Sequence, residues 1–416
     1  MENLSFRVYL VFIVSYLVHL PARYSILGAI RFDLILVALI GATLFFSKPK
    51  RTGEGLSLTS KILIVLWIDI LVSIPFAAWP GTVIQAGIPN MIASAIFYYY
   101  TITLINSEKR LKIFILVFVA CQSLRVFEPL YLHFTTGYWG DSTNMGGAKL
   151  LMMDRLAGAP TDTVNPNGLA AIICTIVPLY HFLGFQSSWK SKVVYLGAMP
   201  LLAYALVLTA SRSGFLAFLV ILIGILIKSK KKALMVGAMV VCGVIFVASL
   251  DPLQRDRYLS IGESDVAGSA TVEGRMEGVV ADFKAGMERP VFGSGLGTSK
   301  ELNYHTRGIA MPSHNLYMET FEELGVIGLI ILLTFMGTII SNFRFVVKTT
   351  SGLLDKKGYL SRLGNALQVW LWMNILFSFA SYGLSTYSWY LFAGLSVVVR
   401  KLALEIPRQE EGAQAP

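Results

Sequence analysis

Twelve apolar runs divide the chain, each long enough to cross or nearly cross a bilayer as a helix. They fall near residues 7–20, 32–46, 62–78, 86–105, 113–127, 168–186, 193–210, 214–227, 233–250, 318–340, 366–381 and 386–399. A helix needs roughly 20 residues to span about 30 Å of hydrocarbon, and its backbone must satisfy its own hydrogen bonds there. Composition agrees: 55% of residues are hydrophobic, 14% are charged and the mean hydropathy is +0.63, against about a quarter charged in soluble domains. The expected fold is an all-α polytopic membrane protein of about 12 transmembrane helices. The runs at 7–20, 214–227 and 386–399 are short for a perpendicular span, so their edges are soft.

Basic residues orient these runs. With both termini cytoplasmic, most of the 35 Lys and Arg fall in inside pieces: the N-terminus, the loops 47–61, 106–112, 187–192, 228–232 and 341–365, and the tail after 399. Twelve spans then alternate without breaking the positive-inside rule. The expected layout is five spans in 1–127, an external loop at 128–167, four spans in 168–250, a large external loop at 251–315, three spans in 316–399 and a cytoplasmic tail at 400–416. In a bacterium the external side is the periplasm, and the membrane is the inner, cytoplasmic one. The net charge of +10 belongs mostly to loops beside anionic membrane lipids, so it does not argue for nucleic acid. Leu20-Pro21-Ala22-Arg23 offers no small-x-small cleavage site, and the first run reads as a retained helix. Cys121, Cys174 and Cys242 all fall inside runs, which leaves no external disulfide or thiolate metal site.

Four external features could do chemistry. Asn165-Pro166-Asn167-Gly168 closes the loop 128–167, with Arg155 upstream. Asn165 before proline is extended, Pro166 suits a first helical turn, and Asn167 is the expected cap. Ser211-Arg212-Ser213-Gly214 is a tight outer joint, where an interfacial arginine is either a headgroup anchor or a site for an anion supplied from elsewhere. Gly274-Arg275 is followed by Met276, Val279, Val280, Phe283 and Met287, a spacing that predicts an amphipathic helix over 275–288 with Arg275 in its first turn, against the dipole. Ser313-His314-Asn315-Leu316-Tyr317 precedes a span that opens with Glu319, Glu322 and Glu323. Ser313 reads as its N-cap and His314 as its first helical residue, where the dipole favours the neutral ring that a general base needs.

Gly293-Ser294-Gly295-Leu296-Gly297 lacks the Lys-Ser/Thr ending of a phosphate-binding loop and reads as a flexible turn or a close backbone approach. Tyr131, His133, Tyr138, Trp139 and Asp141 could stack on sugar rings, but an interfacial aromatic belt is the preferred reading.

The order Arg212-Ser213-Gly214, Gly274-Arg275, Pro290-Val291-Phe292-Gly293 through Gly297, then His314-Asn315 with Tyr317, Glu323, Gly325 and Gly328 resembles the O-antigen ligase and polymerase superfamily. The motifs run from about 155 to 330; the first 130 residues resemble it only in hydropathy. The resemblance implies a GT-C-like membrane glycosyltransferase. Its large periplasmic loop would contain short helices and carry catalytic residues. The reaction implied is transfer of a glycan from an undecaprenyl diphosphate carrier to an acceptor sugar hydroxyl, either on lipid A core or on another carrier-linked glycan. By the same resemblance Arg212 and Arg275 bind the diphosphate and His314 acts as base or positions the acceptor, with Arg155, Asn165, Asn167, Asn315 and Tyr317 as substrate-binding positions. The chemistry agrees: a diphosphate leaving group must be neutralised and a hydroxyl deprotonated.

Asp251, Asp256, Asp265 and Asp282 are scattered and form no D-x-D pair, so no metal and no other cofactor is expected. A ligase is preferred to a polymerase or to a protein O-oligosaccharyltransferase, and the motifs are common to all three. A flippase of lipid-linked sugar is the alternative from another class. It would want charged residues near the bilayer midplane, where Asp69 stands alone in the sequence reading.

Overall fold

A computed structural model describes residues 2–46, 55–140, 154–162, 164–184, 188–250, 252–259, 270–308, 310–351, 358–381 and 383–414. Some side chains within these helices, Arg275 and Cys242 among them, lie outside the described set, as do Asp141, Asp251 and Asp265. The described helices include α1 (Glu2–Val18), α2 (Phe32–Phe46), α3 (Leu58–Ser73), α4 (Ile88–Leu104), α5 (Glu108–Thr136), α6 (Pro166–Leu179), α7 (Trp189–Thr209), α8 (Arg212–Lys228), α9 (Lys232–Ser249), α10 (Ala270–Glu288), α11 (Ser299–Arg307), α12 (Leu316–Ser351), α13 (Tyr359–Phe377) and α14 (Tyr387–Gln414). No strand occurs among the described residues. Each of the twelve apolar runs overlaps a helix, and the polar stretch 251–315 contains α10, α11 and a short helix at Pro252–Leu259.

Among the described residues, five helical stretches are long and apolar enough to cross a bilayer: Leu58–Phe76, Glu108–Thr136, Pro166–Gly184, Trp189–Thr209 and Leu316–Thr350; Asn3–Val18 and Phe32–Phe46 are shorter apolar helices. The described residues are therefore helical without strands, and several of the helices have the length and composition of membrane spans.

The chain forms two compact units. The first comprises Met1–Lys50, Ser107–Val272 and Lys357–Asn374; the second comprises Arg51–Asn106, Glu273–Lys356 and Ile375–Pro416. In the first, α1 packs on α2 and α5, and α6 packs on α5, α7 and α8. Leu169, Ala170, Ile173, Cys174 and Ile176 of α6 are all buried. A helix apolar on every side is the centre of its bundle. Gly214 of α8 lets the backbones close up, since a Cβ there would stand 2.5 Å from the Ala170 methyl. Asp69 is not the lone charge deep in a span: Arg125, inside α5, is also buried. It escaped notice because its partner, Asp162, lies in a loop 37 residues on.

In the second unit α4 packs on α14, and α12 packs on α3 and α14. Asn342 of α12 ties the three together at one level: its Nδ2 donates to Thr59 Oγ1 of α3 at 3.1 Å and to Ser396 Oγ of α14 at 3.0 Å. Small hydroxyls and one amide are the usual interhelical glue where lipid offers no hydrophobic drive.

The span expected at 318–340 is two helices joined across a break at Gly325 (φ 65°, ψ −164°). The Gly-rich turn fills that break. Ser294 N donates to Glu322 O and Gly295 N to Glu323 O, each at 2.8 Å, and Val326 N donates to Pro290 O at 2.8 Å. Broken backbone inside a span persists only when protein groups satisfy it, and here the turn does so. Of the two readings of Gly293–Gly297, close backbone approach is the one observed. A Cβ on Gly293 would lie 2.3 Å from the Glu323 carbonyl carbon.

Candidate functional site

In the first unit α7 ends at Ala210, a residue in the left-handed region (φ 44°), and α8 starts at once. Ser211 Oγ accepts from Gly214 N at 3.1 Å and caps α8. Asn165 Oδ1 accepts from Gly168 N at 2.9 Å and caps α6. This corrects the expected cap: Asn167 does not cap but joins the two helix starts. Its Oδ1 accepts from Ser211 Oγ at 2.9 Å and from Arg155 Nη2 at 2.9 Å. Arg155 Nε also donates to Thr209 O at 2.8 Å, so this arginine, 2% exposed, is bonded into the joint.

The loop bearing Arg155 is fixed in turn. Arg125 holds Asp162 through Nε to Oδ2 at 2.6 Å and Nη2 to Oδ1 at 3.1 Å, and Tyr138 Oη donates to Gly158 O at 3.1 Å. Arg212 is the first residue of α8 and is 7% exposed. Arg155, Arg212 and the positive ends of α6 and α8 thus gather at one place, a setting that favours an anion.

The amphipathic helix, which belongs to the second unit from Glu273 onward, starts at Ala270, five residues earlier than expected. Arg275 therefore stands past the first turn, and the dipole argument does not apply to it; its side chain lies outside the described residues. The apolar stripe is present, with Met276, Val280, Phe283 and Met287 exposed. The opposite face carries Asp282, 2% exposed.

The start of α12 also differs from expectation. Asn315, not Ser313, is the cap: its Oδ1 accepts from Tyr317 N at 3.0 Å and Met318 N at 3.2 Å. His314 thus precedes the helix and is exposed between buried Ser313 and Asn315. The turn is clamped from three sides. Ser313 N donates to Ser299 Oγ at 2.8 Å, Ser313 Oγ donates to Asp282 Oδ2 at 2.7 Å, and Asn303 Nδ2 donates to Met311 O at 3.0 Å. Arg307 Nη1 lies 3.7 Å from Asp282 Oδ1. Burial pushes the Asp282 carboxyl up from the usual range; the Ser313 hydrogen bond, Arg307, Asn303 and His314 oppose this. Tyr317 is anchored through its hydroxyl to Ile375 O at 2.9 Å.

Two of the three glutamates of α12 hold neighbouring backbone amides. Glu323 Oε1 accepts from Ser299 N at 3.1 Å, at the start of α11. Glu319 Oε2 accepts from Gly383 N at 2.7 Å and Leu384 N at 3.1 Å. Glu322 is fully buried.

The structure therefore brings Arg155, Asn165, Asn167 and Arg212 together in the first unit, and His314, Asn315 and Tyr317 together in the second, whose α10 carries Arg275. Sequence reasoning missed Asp282. The available signal was its place on the polar side of an otherwise apolar stripe. Among the described residues no group of three or more His, Cys, Asp or Glu is placed to hold a metal ion.

Residues 197–333 match the O-antigen ligase family, which bears out the resemblance to the ligase and polymerase superfamily read from the motifs. The match runs from within α7 to within α12 and contains Arg212, Arg275, His314, Asn315 and Tyr317; Arg155, Asn165 and Asn167 precede it. No curated protein matches the chain.

Proposed function

We propose, from the O-antigen ligase match across 197–333, that this chain is a membrane glycosyltransferase of the inner membrane working on the periplasmic side. It moves a glycan from an undecaprenyl diphosphate carrier onto a sugar hydroxyl of lipid A core. One observation carries the reading: the matched stretch contains both basic and imidazole chemistry, and it presents His314 to solvent on a turn clamped by buried neighbours. In the proposed reaction His314 takes the proton of the acceptor hydroxyl, whose oxygen bonds to the anomeric carbon as the bond to the carrier's diphosphate breaks. Arg212 and Arg275 neutralise the departing diphosphate by bidentate contact. Arg212 is suited to this by its place at a helix start beside a second helix start and Arg155.

Arg155 and Asn167 would act by fixing that joint, and Asn165, Asn315 and Tyr317 by setting helix starts and packing. All five thereby hold the substrate's surroundings in place rather than grip it. With arginines in the role a metal would otherwise fill, transfer is expected to proceed undiminished in EDTA. Arg212→Ala is expected to lose roughly 10²-fold or more in rate, with no rescue by magnesium. An enzyme silenced by EDTA and restored by magnesium would overturn the assignment of both arginines. Product analysis with lipid A core and with a second carrier-linked glycan separates ligase from polymerase.

A further inference from the structure

Buried Asp282 of α10 sits under the turn that displays His314. Asp282 lies 32 residues before His314 in sequence, yet its Oδ2 accepts from Ser313 Oγ at 2.7 Å. Its Oδ1 faces Arg307 Nη1 at 3.7 Å. The imidazole of His314 is near enough that its charge favours the ionised form of Asp282. Such coupling is reciprocal: whatever a protonated ring gives the carboxylate, the carboxylate gives the protonated ring.

We infer that Asp282 is a positioning residue for His314, its carboxylate fixing the Ser313–His314–Asn315 turn and stabilising the ring once it has taken a proton. The catalytic part of this rests on the reading of His314 as the base; the coupling itself does not. A base that must accept a proton in the transition state gains from an acceptor-side anion that is already in place, buried and held by fixed donors. The charged groups around the turn come from each packed element: Asp282 on α10, Arg307 on α11, and Glu319, Glu322 and Glu323 on α12, of which Glu319 and Glu322 also interact with Asp282. Glu319 is bonded to the Gly383 and Leu384 amides and Glu323 to the Ser299 amide. Asp282 is thus the carboxylate joined to the turn itself.

The test uses the full chain in nanodiscs. The modification of His314 by diethyl pyrocarbonate, which attacks the neutral ring, is followed by mass spectrometry across pH. This readout requires no glycan transfer. Asp282→Asn keeps the shape and an acceptor for Ser313 but removes the charge. The expected result is a His314 midpoint about half a unit to one unit lower than in the wild type. Arg307→Gln removes the cation opposing Asp282 from a side chain that is partly exposed, and is expected to raise the midpoint. It decides the matter alone if Asp282→Asn fails to fold.

In transfer assays Asp282→Asn is expected to lower kcat about tenfold with KM little changed, and to move the acid limb of the rate profile down with the midpoint. Midpoints that do not move in either variant overturn the proposal. Midpoints that shift in the variants, when the wild type itself shows no transfer activity, uphold the coupling and sink the base assignment instead.

Discussion

Replacing His314 with alanine is expected to cut glycan transfer by roughly 10²–10⁴-fold while leaving binding of the carrier-linked donor within about twofold. The size follows from the proposed role: a positioned base contributes that much to a step in which a hydroxyl must lose its proton. The separation from binding follows from the geometry. His314 is exposed, and the contacts that hold its turn belong to Ser313, Asn303 and Asn315. Truncating the ring therefore leaves the scaffold standing. Donor binding measured by flotation or fluorescence, beside turnover, checks the prediction. A proportionate loss of both would mean that His314 grips substrate and does not move a proton.

Gly325→Val is expected to destabilise the protein by about 3 kcal/mol or more, enough to deplete the folded form in the membrane. Two costs add. The residue has φ 65°, a region that a β-branched side chain resists,. In addition, a Cβ at that position would lie 2.2 Å from the Val291 carbonyl oxygen. The neighbouring backbone cannot retreat, because Pro290 O, Glu322 O and Glu323 O are all engaged between the turn and the break. Gly337→Ala, farther along α12, is the control: nothing lies within 4 Å of a Cβ there, and a helical alanine is favoured. Heating detergent extracts and measuring the surviving monodisperse fraction distinguishes the two. Equal survival would mean that the Gly-rich turn does not support the broken helix.

The helices themselves were legible because membrane burial is read from runs of apolar residues, a signal local to each segment. Their ends were not. At Asn165-Pro166-Asn167 and again at Ser313-His314-Asn315 two good cap residues stand two apart, and the choice between them is made by tertiary partners. Asn167 is taken by Arg155 and Ser211, which leaves the cap to Asn165. Ser313 is taken by Ser299 and Asp282, which leaves it to Asn315. Neither partner set is visible within a few residues of sequence.

The same reason hid Asp282. It looked like one of several scattered acids, and only the packing of α10 against the turn before α12 gives it a partner 31 residues away. Arg275 keeps the position the motif gave it, but the helix around it starts at Ala270. The sequence placed that start later because the apolar period begins at Met276 and Gly274 before it disfavours a helix interior,. The Gly-rich turn was legible as a place for close approach; what it approaches, the open backbone at Glu322–Val326, was not.

The most direct measurement offers purified full-length protein in nanodiscs a carrier-diphosphate glycan donor, with lipid A core and a second carrier-linked glycan as separate acceptors. No metal is added, and wild type is compared with His314→Ala. The account predicts a new glycosidic bond on lipid A core in the wild type, seen as a product heavier by the transferred glycan, and its loss in the variant. Donor binding without a new bond on either acceptor would contradict it.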